Sequence, residues 1–108
     1  METQSSSTPE SLKVTLIFPL YDNDGEPFDI EDWRWWQREM FRVGDYTELG
    51  NAKGVFRGHT DRNRIIVMIV EPSALDAIRE FLKEARKRFA QDAMYLEYHP
   101  VQFELIRE

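Results

Sequence analysis

The chain reads Arg-Ile-Ile-Val-Met-Ile-Val-Glu-Pro from Arg64 to Pro72, and the apolar run Ile65 to Val70 within it predicts a strand. The run is far too short to span a bilayer and rich in β-branched side chains. Side chains alternate across a strand, so Ile65, Val67 and Ile69 face one way and Ile66, Met68 and Val70 the other. Both faces are apolar, which predicts a central strand buried on two sides.

Around this strand the pattern supplies five further elements. Leu12, Val14, Leu16 and Phe18 alternate with Lys13, Thr15 and Ile17, predicting a first strand from Leu12 to Leu20 that Pro19 should end. Turn formers follow from Tyr21 to Pro27. Asp29 is a suitable N-cap for a helix from Ile30 to about Val43, with Glu31 and Asp32 at its positive end and Gly44 as its stop. Trp33, Trp36, Met40 and Val43 form its apolar stripe, and Trp35 lies away from them among Arg34, Arg38 and Arg42. The stretch from Tyr46 to Arg57 carries Gly50 and Gly54 and predicts an irregular strand, best formed from Ala52 to Arg57, with His59 to Asn63 as the hairpin turn. Ser73 and Asp76 fit a capping box for a second helix whose buried stripe is Leu75, Ile78, Leu82, Ala85 and Phe89. Its outer face pairs Asp76 with Arg79 and Lys83, and Glu84 with Arg88. In the last extended region Met94, Leu96 and Tyr98 alternate in one register and Val101, Phe103 and Leu105 in another, so His99-Pro100 is expected to be a bulge or corner.

The order β-α-β-β-α-β is that of a ferredoxin-like α+β sandwich, a four-stranded antiparallel sheet with two helices on one face and strands one and three at its centre. Two helices cover only one face. Ile66, Met68 and Val70, or their odd-numbered neighbours, are then left on the open side, and a contiguous apolar patch there marks an interface. A homodimer through this sheet face is the first expectation, with Met68 as its marker. The alternatives are a C-terminal segment folded back over the sheet and a lined small-molecule pocket.

The 108 residues suit a single domain from residue 11 to 108, behind a polar leader, Met1 to Glu10, that reads as disordered. Cysteine is absent, which removes thiol chemistry and thiolate-ligated metals and fits a reducing compartment; cytoplasm is the default. A formal charge of −6 repels nucleic-acid phosphates and anionic membranes. The N-terminus has no basic start and no apolar run, so it reads as neither a signal peptide nor an anchor. An RNA-recognition sheet of this topology would display aromatic residues on strand three, where this chain offers Ile, Val and Met.

Candidate chemistry is sparse. Asp22-Asn-Asp-Gly25 resembles a calcium loop, but Leu20 stands at its first ligand position and a strand precedes it, so a solvated turn fits better. His59 and His99 fall in a predicted turn and a predicted bulge, with no spacing that joins them. Arg34, Trp35, Arg38 and Arg42, extended by Arg57, form a basic and aromatic strip suited to a small anionic ligand or a partner surface. Glu31 and Glu39 lie beside the strip and neutralise it if it is only a salt-bridged face. No nucleophile elbow, Ser-His-Asp order or phosphate loop is present, and no cofactor is implied.

The segments Thr15-Leu-Ile-Phe-Pro-Leu20, Gly54-Val-Phe-Arg57 and Arg88-Phe-Ala-Gln-Asp-Ala-Met94 resemble a family of small bacterial ferredoxin-like α+β proteins of unknown function. The likeness runs from about Leu12 to Ile106. It implies the same fold and assigns no catalytic residues. Two functions follow for testing. The first is a dimeric binding or protein-interaction module using Arg34, Trp35, Arg38, Arg57, His59, Met68, Tyr98 and His99. The second is a cofactor-independent enzyme of the dimeric α/β-barrel type, handling protons or anions through Tyr21, Arg57, His59, Tyr98 and His99.

Overall fold

A computed structural model describes residues 10 to 107, apart from the side chain of Phe56, so the expected leader lies outside the described residues except for Glu10. The chain order is β1 (Ser11–Pro19), α1 (Ile30–Val43), β2 (Thr47–Phe56), β3 (His59–Val70), a short 3-10 turn (Pro72–Ala74), α2 (Leu75–Arg88) and β4 (Tyr95–Val101). The four strands form one antiparallel sheet in the order β2-β3-β1-β4. This is the ferredoxin-like arrangement, with β1 and β3 at its centre.

Strand parity decides what the helices cover. In β1 the residues Leu12, Val14, Leu16 and Phe18 are buried, and in β3 Ile66 and Met68 are. They pack with Trp36 and Met40 of α1, with Ile78, Phe81, Leu82 and Ala85 of α2, and with Phe89 beyond it. Met68 therefore belongs to the helix-covered side, at 1 % exposure, and its expected place on the open face is corrected. The odd-numbered set takes that face. Val67 pairs with Thr15, Ile65 with Ile17 and Ile69 with Lys13, and on the other side of β1 Tyr95, Glu97 and His99 pair with Ile17, Thr15 and Lys13. Among the described residues no helix lies over this face.

Helix α1 begins and ends where the pattern places it. Asp29 Oδ1 accepts from the Glu31 backbone N–H at 3.4 Å, and the Gly44 N–H donates to Met40 O at 3.2 Å. Gly44 has φ +152°, and a Cβ there would meet Met68 Cε at 3.4 Å, so the residue combines a strained conformation with close approach to the core. The hairpin differs from expectation. β2 and β3 are joined by Arg57 and Gly58 alone, both at positive φ, and β3 starts at His59. Two positive values in a two-residue loop match the turn whose twist suits a hairpin. The irregularity in β2 falls between Glu48 and Asn51, around Gly50 at φ +91°.

At α2 the expected capping box does not form. Pro72 and Ser73 lie in the 3-10 turn, and α2 has no side-chain cap. Phe81 joins the buried stripe, and Leu75 is only half-buried. β4 pairs with β1 without interruption through His99, Pro100 and Val101, so there is no bulge. Because β4 is an edge strand, the missing proline N–H removes no required ladder bond. The segment after Val101 does not fold back over the sheet; Phe103, Leu105 and Ile106 remain exposed.

Candidate functional site

Residues expected to act together are dispersed by this fold. His59 sits beside the hairpin turn, paired with Phe56, while His99 lies on β4 opposite Lys13, which in turn pairs with Ile69. Ten residues of β3 separate those two rows, roughly 33 Å at the strand rise. Tyr98 occupies the other face of β4 from His99, where Arg79 Nη2 donates to its Oη at 3.2 Å. Tyr21 is exposed beyond β1, in a bridge to Pro27. The adjoining Asp22-Asn-Asp-Gly25 segment is a closed turn, with Asp22 Oδ1 accepting from the Asp24 and Glu26 backbone N–H groups at 2.9 Å each.

The basic strip also resolves into separate environments. Arg34 pairs with Glu31, and Arg42 lies 3.5 Å from Glu39, both within α1. Arg38 is exposed. Trp35 is not on a polar face. It stacks on Phe81 of α2 at 5.6 Å between ring centroids, and the Arg88 guanidinium lies 4.7 Å from its ring while pairing with Asp32 at 3.2 Å. Arg88 thus ties α2 to α1, whereas Glu84 pairs with Lys87. Trp35→Ala is accordingly expected to lower stability by about 2 kcal/mol in urea unfolding, through the lost helix-to-helix contact.

A convergence of a different kind lies at the open end of the helix-covered side. Trp33 and Trp36 are three residues apart and stand next to each other on α1, with ring centroids 5.6 Å apart and nearly perpendicular. Arg64 is the inward position of β3 just before Ile66, beyond the fully buried core, and its guanidinium carbon lies 4.4 Å from the Trp33 ring and 4.8 Å from that of Trp36. The Nε of this arginine is buried, and its side chain as a whole keeps 25% of its surface exposed. Glu48 pairs with Ile66 across the β2–β3 ladder, which brings its carboxylate within 3.0 Å of Arg64 Nε. The contact is an ion pair in distance, but the Nε–H is not aimed along it and makes no hydrogen bond.

Tyr46, between α1 and β2, closes the group edge-on to Trp36 at 5.9 Å. With Ile30, Arg34 and Gln37 these residues line a cleft of about 280 Å3. The cleft combines aromatic walls, a carboxylate, two guanidinium groups and an amide. Trp36 is 2 % exposed, and its indole N–H has no acceptor among the described residues. A buried donor of this kind usually finds a partner, and leaving it unpaired costs free energy. The sequence pattern identifies Trp33 and Trp36 only as apolar stripe. Arg64 could have been recognised as the polar member of the inward parity set Arg64, Ile66, Met68.

Elsewhere, Tyr95 on the open face donates from Oη to Glu97 Oε1 at 2.8 Å. This bond holds the phenol above its ordinary value of 10.0, with burial and the carboxylate charge acting in the same direction. Tyr95 is therefore a neutral donor at neutral pH. The described residues contain no cluster of three or more metal-ligating side chains, and no described helix is long and apolar enough to cross a membrane.

The sheet and its two helices define a small ferredoxin-like domain with an aromatic cleft at one end of the helix layer. Neither a protein-family model nor a curated relative matches the sequence. Among solved structures the fold is similar to that of a phage SAM lyase in complex with S-methyl-5'-thioadenosine. That match has a TM-score of 0.66 and 19% identity, covering 93% of this chain and 86% of the other. A phage SAM lyase in its apo state matches over the same shares with a TM-score of 0.52 and 14% identity.

Proposed function

We propose that this chain is a small-molecule enzyme whose ligand is an adenosyl sulfonium or thioether, held in the cleft of Trp33, Trp36, Tyr46, Glu48 and Arg64. The observation that carries the reading is the likeness in fold, over nearly the whole of both chains, to a lyase bound to methylthioadenosine. The chemistry of the cleft supports it. Aromatic faces and a guanidinium plane stack on a purine, and a carboxylate accepts from an exocyclic amine or a ribose hydroxyl. An acceptor on the base would complete the Trp36 N–H. Arg34 and Arg64 offer forked donors for the carboxylate of an amino-acid arm, the small anionic group that the arginines of α1 suggest from sequence.

The reaction balances without an oxidant. When the bond from sulfur to the amino-acid arm breaks, its electron pair passes to sulfur, and the sulfonium becomes neutral methylthioadenosine. As that bond breaks, either a base takes a proton from the adjacent carbon of the arm or the arm's own carboxylate oxygen bonds to the carbon that leaves sulfur. In either case positioning of the arm is the chief requirement, and the paired cations at the cleft rim provide it.

Calorimetric titration with S-methyl-5'-thioadenosine should show binding that Tyr46→Ala and Arg64→Lys each weaken about tenfold, the loss of one stacked ring or one bidentate contact. S-Adenosylmethionine incubated with the chain should yield the thioether, followed by chromatography. No binding and no turnover would overturn the reading; full binding by both variants would remove the ligand from this cleft.

A second reading is favoured by the open sheet face. Ile17, Ile65 and Val67 are only half-buried there, and Ile69 is exposed. Such a strip supports the protein-interaction role, with a second copy of the chain as partner in the homodimer the pattern suggests.

A further inference from the structure

The pairing of β4 with β1 ends at the Ser11–Val101 pair. The strand-like pattern itself continues. Val101, Phe103 and Leu105 alternate with Gln102 and Glu104, and Phe103, Leu105 and Ile106 are 53, 67 and 84 % exposed. Residues 102–107 thus form an apolar arm that pairs with no described strand. Among the described residues its backbone has no backbone hydrogen-bond partner. Continued past Val101, the alternation places Phe103 and Leu105 in the odd register of the open face.

Among the described residues two apolar surfaces therefore lack cover, a flat strip and an extended arm. We propose that the arm of one copy lies across the open sheet face of a second copy, with Phe103 and Leu105 against Ile17, Ile65, Val67 and Ile69. The dimensions fit. Six extended residues reach roughly 20 Å, and the distance from β4 across β1 to β3 is about 10 Å. An extended segment with free backbone groups and alternating side chains is the form in which chains add to a neighbour's sheet surface or edge. Arm and face are different surfaces, so the contact closes as a reciprocal dimer or as a ring.

This inference rests on the second reading above, that the open face joins copies of the chain, and the test separates the two. Sedimentation velocity would be run on the full chain, on a chain ending at Val101 and on Val67→Asp, each with circular dichroism to confirm folding. The full chain should sediment as an assembly and both altered chains as monomers. Mixing the shortened chain, which keeps its face, with Val67→Asp, which keeps its arm, should restore a hetero-assembly. If the shortened chain still assembles and Val67→Asp does not, the arm is excluded and the face alone is the contact. A full chain monomeric at every concentration overturns both. Should Val67→Asp fail to fold, Ile69→Lys, at a more exposed position of the same strip, takes its place.

Discussion

Met68→Asp should leave the chain largely unfolded at neutral pH. The residue is 1 % exposed and belongs to the cluster of Leu16, Ile66, Met40 and Ile78. A carboxylate there loses its hydration and gains no cation, and the thioether's packing is lost as well. The expected cost is about 4 kcal/mol or more, against a typical total of roughly 5 to 15 for a domain of this size. Far-UV circular dichroism and urea titration would measure it. A well-folded Met68→Asp with unchanged urea midpoint would mean that β3 presents its other face to the helices, reversing the assignment of both sheet surfaces. The same change one residue earlier, Val67→Asp, is expected to preserve the fold because that side chain points to the open face.

The second large effect concerns Trp36, which touches both core and cleft. Its ring meets Phe18, Trp33 and Tyr46 edge-on, so Trp36→Ala is expected to cost about 4 kcal/mol in denaturant unfolding. Trp36→Phe divides the two roles. It retains an aromatic ring and removes a donor that has no acceptor among the described residues, so the expected loss of stability is only about 1 to 2 kcal/mol. If the proposed ligand supplies the acceptor for this N–H, affinity for methylthioadenosine should nevertheless fall about tenfold, since the substitution removes the donor. Equal affinity in Trp36→Phe and the parent would show that the indole N–H does not meet the ligand.

The sheet was legible because its signals were local and mutually consistent. The β1 alternation, the Asp29 cap, the Gly44 stop and the double-sided β3 each rest on a few adjacent residues, and together they allow few arrangements. Parity was legible only up to a choice, since Ile65 and Ile66 are equally apolar and nothing in the run says which faces α1. The hairpin was missed because Arg57-Gly58 lacks the usual Asn or Asp before glycine, and the polar residues His59 to Asn63 resemble a turn although they form the start of β3. Trp35 was misplaced for a different reason. Helical spacing puts it among arginines, but α2 approaches from that side and brings Phe81 and Arg88 to it, a tertiary fact with no trace in the pattern of α1. The cleft required three elements to meet: the tryptophans of α1, Glu48 of β2 and Arg64 of β3. Spacing within any one of them carries no sign of the others.

The position of β1 has a consequence for how the chain reaches its native state. It precedes the other described strands in the chain, yet its two neighbours come from residues 59–70 and 95–101, so that Ser11 meets a partner ninety positions away. The chain must be synthesised through Val101 before that strand has both flanks. Until then Leu12, Val14, Leu16 and Phe18 stay available to solvent or to a chaperone, and pairings of such high contact order form late. Truncation within β4 should therefore impair productive folding of β1, which loses one of its two flanks.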